Sequence, residues 1–191
     1  MEKYICNGFL VQDVNAPTGF ASNFNYKGIT SFHLFPLDNI NSTECLKLSE
    51  KQQFKRLNGN SFQSLEFITN YDFLREYLLC CEKYNIMTRT LFVESSYALE
   101  TYNDRMPLMK FLGYELCPIP IDEQIITDLD WYPQFYKYHP KLNEFGLFSS
   151  YLDALKFKVD YEVECKKNII GDGIGDYFIC KVFSCENNQM I

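Results

Sequence analysis

Few residues of this chain have types and spacing suited to chemistry. Glu164 and Lys166 stand two apart in Glu164-Cys-Lys166. On a β-strand, positions two apart share one face. Asp153 or Asp160 would supply a second carboxylate, the two could hold Mg²⁺, and Lys166 could steady an attacking water. The plain alternative is a solvated charged face. Gly171-Asp-Gly-Ile-Gly-Asp176 is glycine-rich, but no Lys-Ser/Thr follows and a strand rather than a helix comes next. Neither nucleotide-binding fingerprint is met, and the Asp-x-Asp-x-Asp-Gly order of a calcium loop is missing. The segment reads as a turn whose glycines take positive φ. His33 and His139, the two histidines, are far apart and have no Cys or Asp at metal spacing. The expectation is a chain with no catalytic residues, no metal and no cofactor, unless the Glu164–Lys166 segment extends as a strand.

A second constellation suits binding rather than catalysis. Asp122, Glu123, Asp128 and Asp130 run into Trp131, Tyr132, Phe135, Tyr136 and Tyr138. Aromatic anchors rimmed by carboxylates are what a binder of a basic protein would expose. The same residues also fit a core-packing loop with ordinary solubilising acids.

These side chains need elements to position them. Tyr4 to Val14 is an apolar segment broken at Asn7-Gly8, a first strand or short hairpin. Residues 28–37 and 61–69 read as further strands. Asn41-Ser-Thr-Glu44 opens a helix to about Leu57, with few apolar residues and so an exposed position. Asn70 caps the clearest helix, Tyr71 to Tyr84, in which Phe73, Leu74, Tyr77, Leu78, Cys81 and Tyr84 recur at threes and fours. Thr88 to Ser95 is β-branched and reads as a central strand. With the strand before Asn70 it would form one βαβ crossover, its two strands parallel. Leu108 to Leu112 reads as a short apolar run ending at Gly113, and Cys117-Pro-Ile-Pro120 as irregular. Tyr177 to Cys185 is apolar on both faces except for Lys181, so it should be central or covered.

Leu155 to Lys166 has two readings. Leu155, Phe157, Val159, Tyr161, Val163 and Cys165 alternate with six charged residues, the period of a half-buried strand. The flanks point to a helix. Ser150-Tyr-Leu-Asp153 has capping-box spacing, and Lys166-Lys167-Asn168 suits a helix end. Leu152, Leu155, Val159 and Val163 also make a helical stripe, and Lys156/Asp160 and Lys158/Glu162 would be opposite charges four apart.

Composition bounds the function. The chain has 191 residues, 47% apolar and 23% charged, which is enough for one folded domain spanning 1–191. Net charge is −7, and residues 121–191 carry −5 of it, with 12 acidic against 7 basic side chains. Such a balance disfavours nucleic acid, whose binding relies on Lys and Arg displacing counterions. It favours a basic protein partner. No run of 18 apolar residues exists, so no membrane helix is expected. The start, Met1-Glu-Lys-Tyr-Ile-Cys, lacks a basic region followed by an apolar run. The eight cysteines include no Cys-x-x-Cys pair and are expected as buried free thiols in the cytoplasm.

Gly146-Leu-Phe-Ser-Ser-Tyr-Leu-Asp-Ala-Leu-Lys-Phe-Lys158 and Gly175-Asp-Tyr-Phe-Ile-Cys-Lys-Val-Phe183 resemble the carboxyl-terminal part of small bacterial proteins. Some of these are similar to immunity proteins of polymorphic toxin and contact-dependent inhibition systems. The likeness covers about the last quarter of the chain. It implies an acidic, non-catalytic protein that blocks a toxin domain by direct contact, and it implies no particular fold or binding residue. In the strand reading, Glu164-Cys-Lys166 instead resembles the Glu-x-Lys element of metal-dependent nucleases. The expected architecture is a single α+β domain, a mixed sheet of about five or six strands with two or three helices packed on it. The expected function is an immunity-type inhibitor of a basic toxin domain, its face formed by Asp122, Glu123, Asp128, Asp130, Trp131, Tyr132, Tyr136 and Tyr138. The alternative is the nuclease-like enzyme. The oligomeric state is left open.

Overall fold

Layering follows from which residues each element must hide. The computed structural model describes residues 7–14, 37, 40–54, 68, 70–95, 109–119, 132–167 and 176–186. In chain order these form β1 (Asn7–Asp13), α1 (Thr43–Phe54), α2 (Tyr71–Lys83), β2 (Thr88–Ser95), β3 (Met109–Ile119), a 3-10 helix (Pro133–Lys141), α3 (Tyr151–Lys166) and β4 (Asp176–Cys185). The fold is α+β. The sheet has the order β1-β2-β4-β3, with every neighbouring pair antiparallel.

Alternation along the strands sends side chains to two cores. Phe9, Val11 and Phe92 pack with Leu74, Tyr77, Leu78 and Cys81 of α2 and Cys45 and Leu48 of α1. Leu10, Leu91, Val93, Leu116 and Val182 pack instead with Phe135 and Tyr138 of the 3-10 helix and with Ala154, Phe157, Tyr161 and Cys165 of α3. The sheet is therefore covered on both faces. That explains why β4, apolar on both faces, lies between β2 and β3.

The sheet differs from the sequence expectation in count and direction. It has four strands among the described residues, not five or six, and it is antiparallel rather than mixed. Residues 28–36 lie outside the described residues, and of 61–69 only Ile68 is described. Ile68 exchanges two backbone hydrogen bonds with Phe9 at 2.9 Å. Because that bridge and the β1–β2 pairing are both antiparallel, Ile68 runs parallel to β2 with β1 inserted between them. The crossover through α2 therefore spans one strand.

Local signals placed most element ends. The Asn70 side chain accepts from the Phe73 N–H at 2.9 Å and caps α2. Asn85, at φ 55°, turns the chain out of that helix. β3 overran its expected end. It passes through Gly113 by a bulge and continues to Ile119. Gly113 has φ 154° and faces Asn143–Phe148 so closely that an added Cβ would lie 2.7 Å from Leu147 Cβ. Pro118 is tolerated because, among the described residues, β3 is an edge strand whose outer side is bridged at Tyr114 and carries no ladder at Pro118.

Six cysteines (Cys45, Cys80, Cys81, Cys165, Cys180 and Cys185) are free and buried. Burial pushes the Cys80, Cys81 and Cys185 thiols up to about 12, and at Cys80 a contact with the Cys45 sulfur adds to the effect. Thiolate is the reactive form, so these groups are inert near neutral pH. Titration of native protein with an aromatic disulfide reagent should modify no more than the two remaining cysteines, and all eight should react in denaturant. Rapid native modification of more than two would contradict this burial.

Candidate protein-binding surface

α3 decides the chemistry open to this chain, because the segment with two readings is a helix. Its alternating pattern arises from two apolar stripes on opposite sides. Ala154, Phe157, Tyr161 and Cys165 recur at threes and fours and are buried against the sheet. Leu152, Leu155, Val159 and Val163 recur the same way, centred about 160° around the helix from the first stripe at 3.6 residues per turn. They face solvent: Leu152 is 64% and Val159 51% exposed. Charges fill the borders between the stripes, so every second residue is apolar along a helix. The sequence showed the second stripe but not which stripe would be covered. The aromatic one won because Phe157 and Tyr161 have far more area to remove from water.

The strand required by the Glu-x-Lys reading is thus absent. On a helix, residues two apart point about 200° apart. Glu164 pairs with Lys167 at 2.9 Å, Asp153 lies 3.8 Å from Lys141, and Asp160 is engaged by Lys137 and Tyr138. The carboxylates that were to share a metal are each turned to a different cation. Of the two expected pairs four apart, Lys158–Glu162 forms, whereas Asp160 is taken by the 3-10 helix. Ser150 stands at the N-cap without a side-chain hydrogen bond, so the capping-box spacing marks the helix start but the box itself is not made.

The 3-10 helix carries the described end of the acidic–aromatic stretch. Pro133 occupies its first turn, where a missing N–H costs nothing. Phe135 and Tyr138 point inward. The Phe135 ring meets Phe157 and Tyr161 at 5.3 and 5.6 Å, and the Tyr138 ring meets Phe157 and Phe148 at 5.2 and 6.2 Å. Tyr138 is therefore core and not a surface anchor, which corrects its expected role. Its hydroxyl donates to Asp160 at 2.7 Å, and burial together with that bond raises its pKa. The Lys137 ammonium, and after it the Tyr138 hydroxyl, hold the Asp160 carboxyl below its ordinary value. Tyr132 is half-buried with its ring 6.3 Å from Phe135. Tyr136 is 45% exposed, its ring 5.4 Å from that of His139. Asp122, Glu123, Asp128, Asp130 and Trp131 lie outside the described residues. Of the eight expected surface residues, the structure thus presents Tyr136 to solvent, half-buries Tyr132 and buries Tyr138.

The loop between the 3-10 helix and α3 is pinned to β3. Asn143 Nδ2 donates to the Leu112 carbonyl at 2.6 Å, and its Oδ1 accepts from the Phe145 and Leu147 N–H groups. Tyr114 and Phe148 exchange both backbone hydrogen bonds at 2.9 Å. The 3-10 helix and α3 together form one outer layer on the sheet, held by rings beneath and ion pairs at the border. Among the described residues, no three His, Cys, Asp or Glu side chains gather at metal-holding range, and no helix is long and apolar enough to cross a membrane. No family model, no curated protein and no solved structure matches this chain.

Proposed function

We propose that this chain is a non-catalytic protein-binding module, in concrete form an acidic immunity-type inhibitor that neutralises a cognate bacterial toxin domain by direct contact in the cytoplasm. The observation that carries the reading is Tyr136. It stands exposed on a short helix whose flanking Phe135 and Tyr138 are locked in the core. A surface tyrosine on a rigid support loses little entropy on binding, and tyrosine is enriched where interfaces concentrate their energy. In sequence it follows residues 120–131, which hold four carboxylates and no basic side chain. A field of that sign speeds encounter with a basic surface.

The test is co-expression with a basic toxin domain from a neighbouring gene, followed by binding kinetics. Wild-type protein should restore growth. The double variant Asp128→Lys and Asp130→Lys should slow association by roughly tenfold and flatten its salt dependence, with little change in dissociation. Tyr136→Ala should mainly quicken dissociation. If no basic toxin domain binds and growth is not restored, the inhibitor reading fails. If binding occurs and neither variant alters it, the toxin uses another face.

A further inference from the structure

The outer stripe of α3 is not used by the reading above. Leu152, Leu155, Val159 and Val163 are all exposed along one side of a helix of 16 residues, and Tyr151, also exposed, lies on its flank with its ring 5.7 Å from that of Tyr114. Apolar side chains aligned on one solvent-facing side of a helix mark a contact surface. We propose that this stripe is a self-association surface, on which α3 of two copies pairs antiparallel about a two-fold axis.

The pattern of the stripe is complementary to itself. At 1.5 Å rise per residue, place the axis level with the midpoint between Phe157 and Lys158. Leu152 then stands level with Val163 of the second copy, and Leu155 within about 1.5 Å of the level of the second copy's Val159. Each longer leucine meets a shorter valine, so the seam keeps an even width. The two-fold also keeps each flank of the helix against the same flank of its mate. Lys156 and Asp160 lie on one flank, and the axis brings Lys156 within about 1.5 Å of the level of the second copy's Asp160. Symmetry repeats that ion pair, giving two opposite-charge contacts along the border. Parallel pairing about a two-fold would set each flank against the opposite one, so Lys156 and Asp160 would not meet.

The surroundings permit this approach. Asp160 is already bonded to Lys137 and Tyr138, yet its side chain is 40% exposed and a carboxylate can accept from a further donor. On the other flank, Lys158 lies toward the sheet side and is paired with Glu162 within its own helix. Lys166 comes within about 3 Å of the level of the second copy's Tyr151, a cation near an aromatic ring. A single helix pair about 24 Å long buries less than the roughly 1,200 Å² of a standard interface. The expected dimer is therefore of micromolar affinity and sensitive to concentration.

Sedimentation velocity of the full chain, from about 1 to about 300 μM, brackets the affinity of so small an interface. The mass should rise from one chain toward two across that range. Val159→Glu places a charge on an already exposed site, so the monomer should keep its circular dichroism and melting temperature while self-association weakens at least tenfold. Lys156→Asp should weaken it by roughly tenfold at low salt and reverse its salt dependence, so that added salt restores part of the association, because like charges then face each other at the border. A wild-type chain that stays monomeric throughout overturns the proposal, as does a Val159→Glu chain that associates as wild type does. So does a monomeric wild type whose Val159 is covered only when another protein binds. No toxin domain is present in the measurement, so its result is separate from that of the inhibitor test.

Discussion

Phe157→Ala should destabilise the protein by roughly 3–5 kcal/mol, the range for deleting a fully buried aromatic ring. Phe157 has no exposed surface, and its ring touches those of Phe135, Tyr138, Phe148 and Tyr161. These four belong to the 3-10 helix, the loop after it and α3 itself. Their rings meet at Phe157 and cannot all move into the space it leaves. A domain of this size has a total stability of about 5–15 kcal/mol, so the loss is a large share of it. Thermal unfolding should shift down by roughly 6–20 °C. Val159, two residues further along the same helix, is the control. It faces solvent, and its replacement by Glu should change monomer stability by no more than about 0.5 kcal/mol. Equal shifts for the two substitutions would mean that Val159 is packed as tightly as Phe157, and a larger shift for Val159→Glu that the outer stripe of α3 is the one facing the sheet.

Gly113→Ala should cost roughly 2–5 kcal/mol for two separate reasons. The first is backbone conformation. At φ 154° an L side chain is strained, and such positions cost about 1–3 kcal/mol each. The second is space. The new methyl would sit 2.7 Å from Leu147 Cβ and 2.9 Å from the Phe148 carbonyl oxygen. Neither atom is the free end of a flexible side chain, so relief requires the Asn143–Phe148 loop to move off β3. That loop is held by the paired backbone bonds of Tyr114 and Phe148 and by Asn143 on Leu112. Urea unfolding should show a lower midpoint at unchanged slope. Hydrogen exchange should show the amides of Tyr114 and Phe148 losing protection before those of β1 and β2. An unchanged midpoint with full protection at Tyr114 would show that the loop does not rest on this glycine.

Both substitutions act on the layer that carries Tyr136 and the outer stripe of α3. Their expected functional effect is the same: the two surfaces proposed for binding lose their support without being touched. A variant that melts early but still binds at low temperature would separate support from contact.

The sequence was most legible where a short stretch holds both pattern and boundary. Asn70 with the apolar spacing behind it specified α2, and Thr88 to Ser95 specified β2 to the residue. The two-faced apolar character of β4 placed it inside the sheet. Legibility failed where the deciding atoms come from elsewhere in the chain. Nothing local tells Gly113 that it is a bulge beneath a loop 34 residues away rather than the end of a strand. Tyr132, Tyr136 and Tyr138 are alike as letters. Only the position of Phe157 and Phe148 buries Tyr138 while leaving Tyr136 in solvent.

By itself the sequence determined an α+β chain, its acidic charge, its most clearly capped helix and the presence of a stripe at Leu152, Leu155, Val159 and Val163. These are properties of composition and of near neighbours, and they do not need the rest of the fold. The tertiary structure decided the state of Leu155 to Lys166. A period of two over twelve residues satisfies a strand, and it equally satisfies a helix with apolar residues on two opposite sides. The sheet already had β2 and β3 beside β4, and a ring cluster from the 3-10 helix waited above it. A helix could bury Phe157 and Tyr161 there and leave Val159 and Val163 outside. That choice removed the strand on which Glu164 and Lys166 would have shared a face, and it put an apolar stripe on the surface.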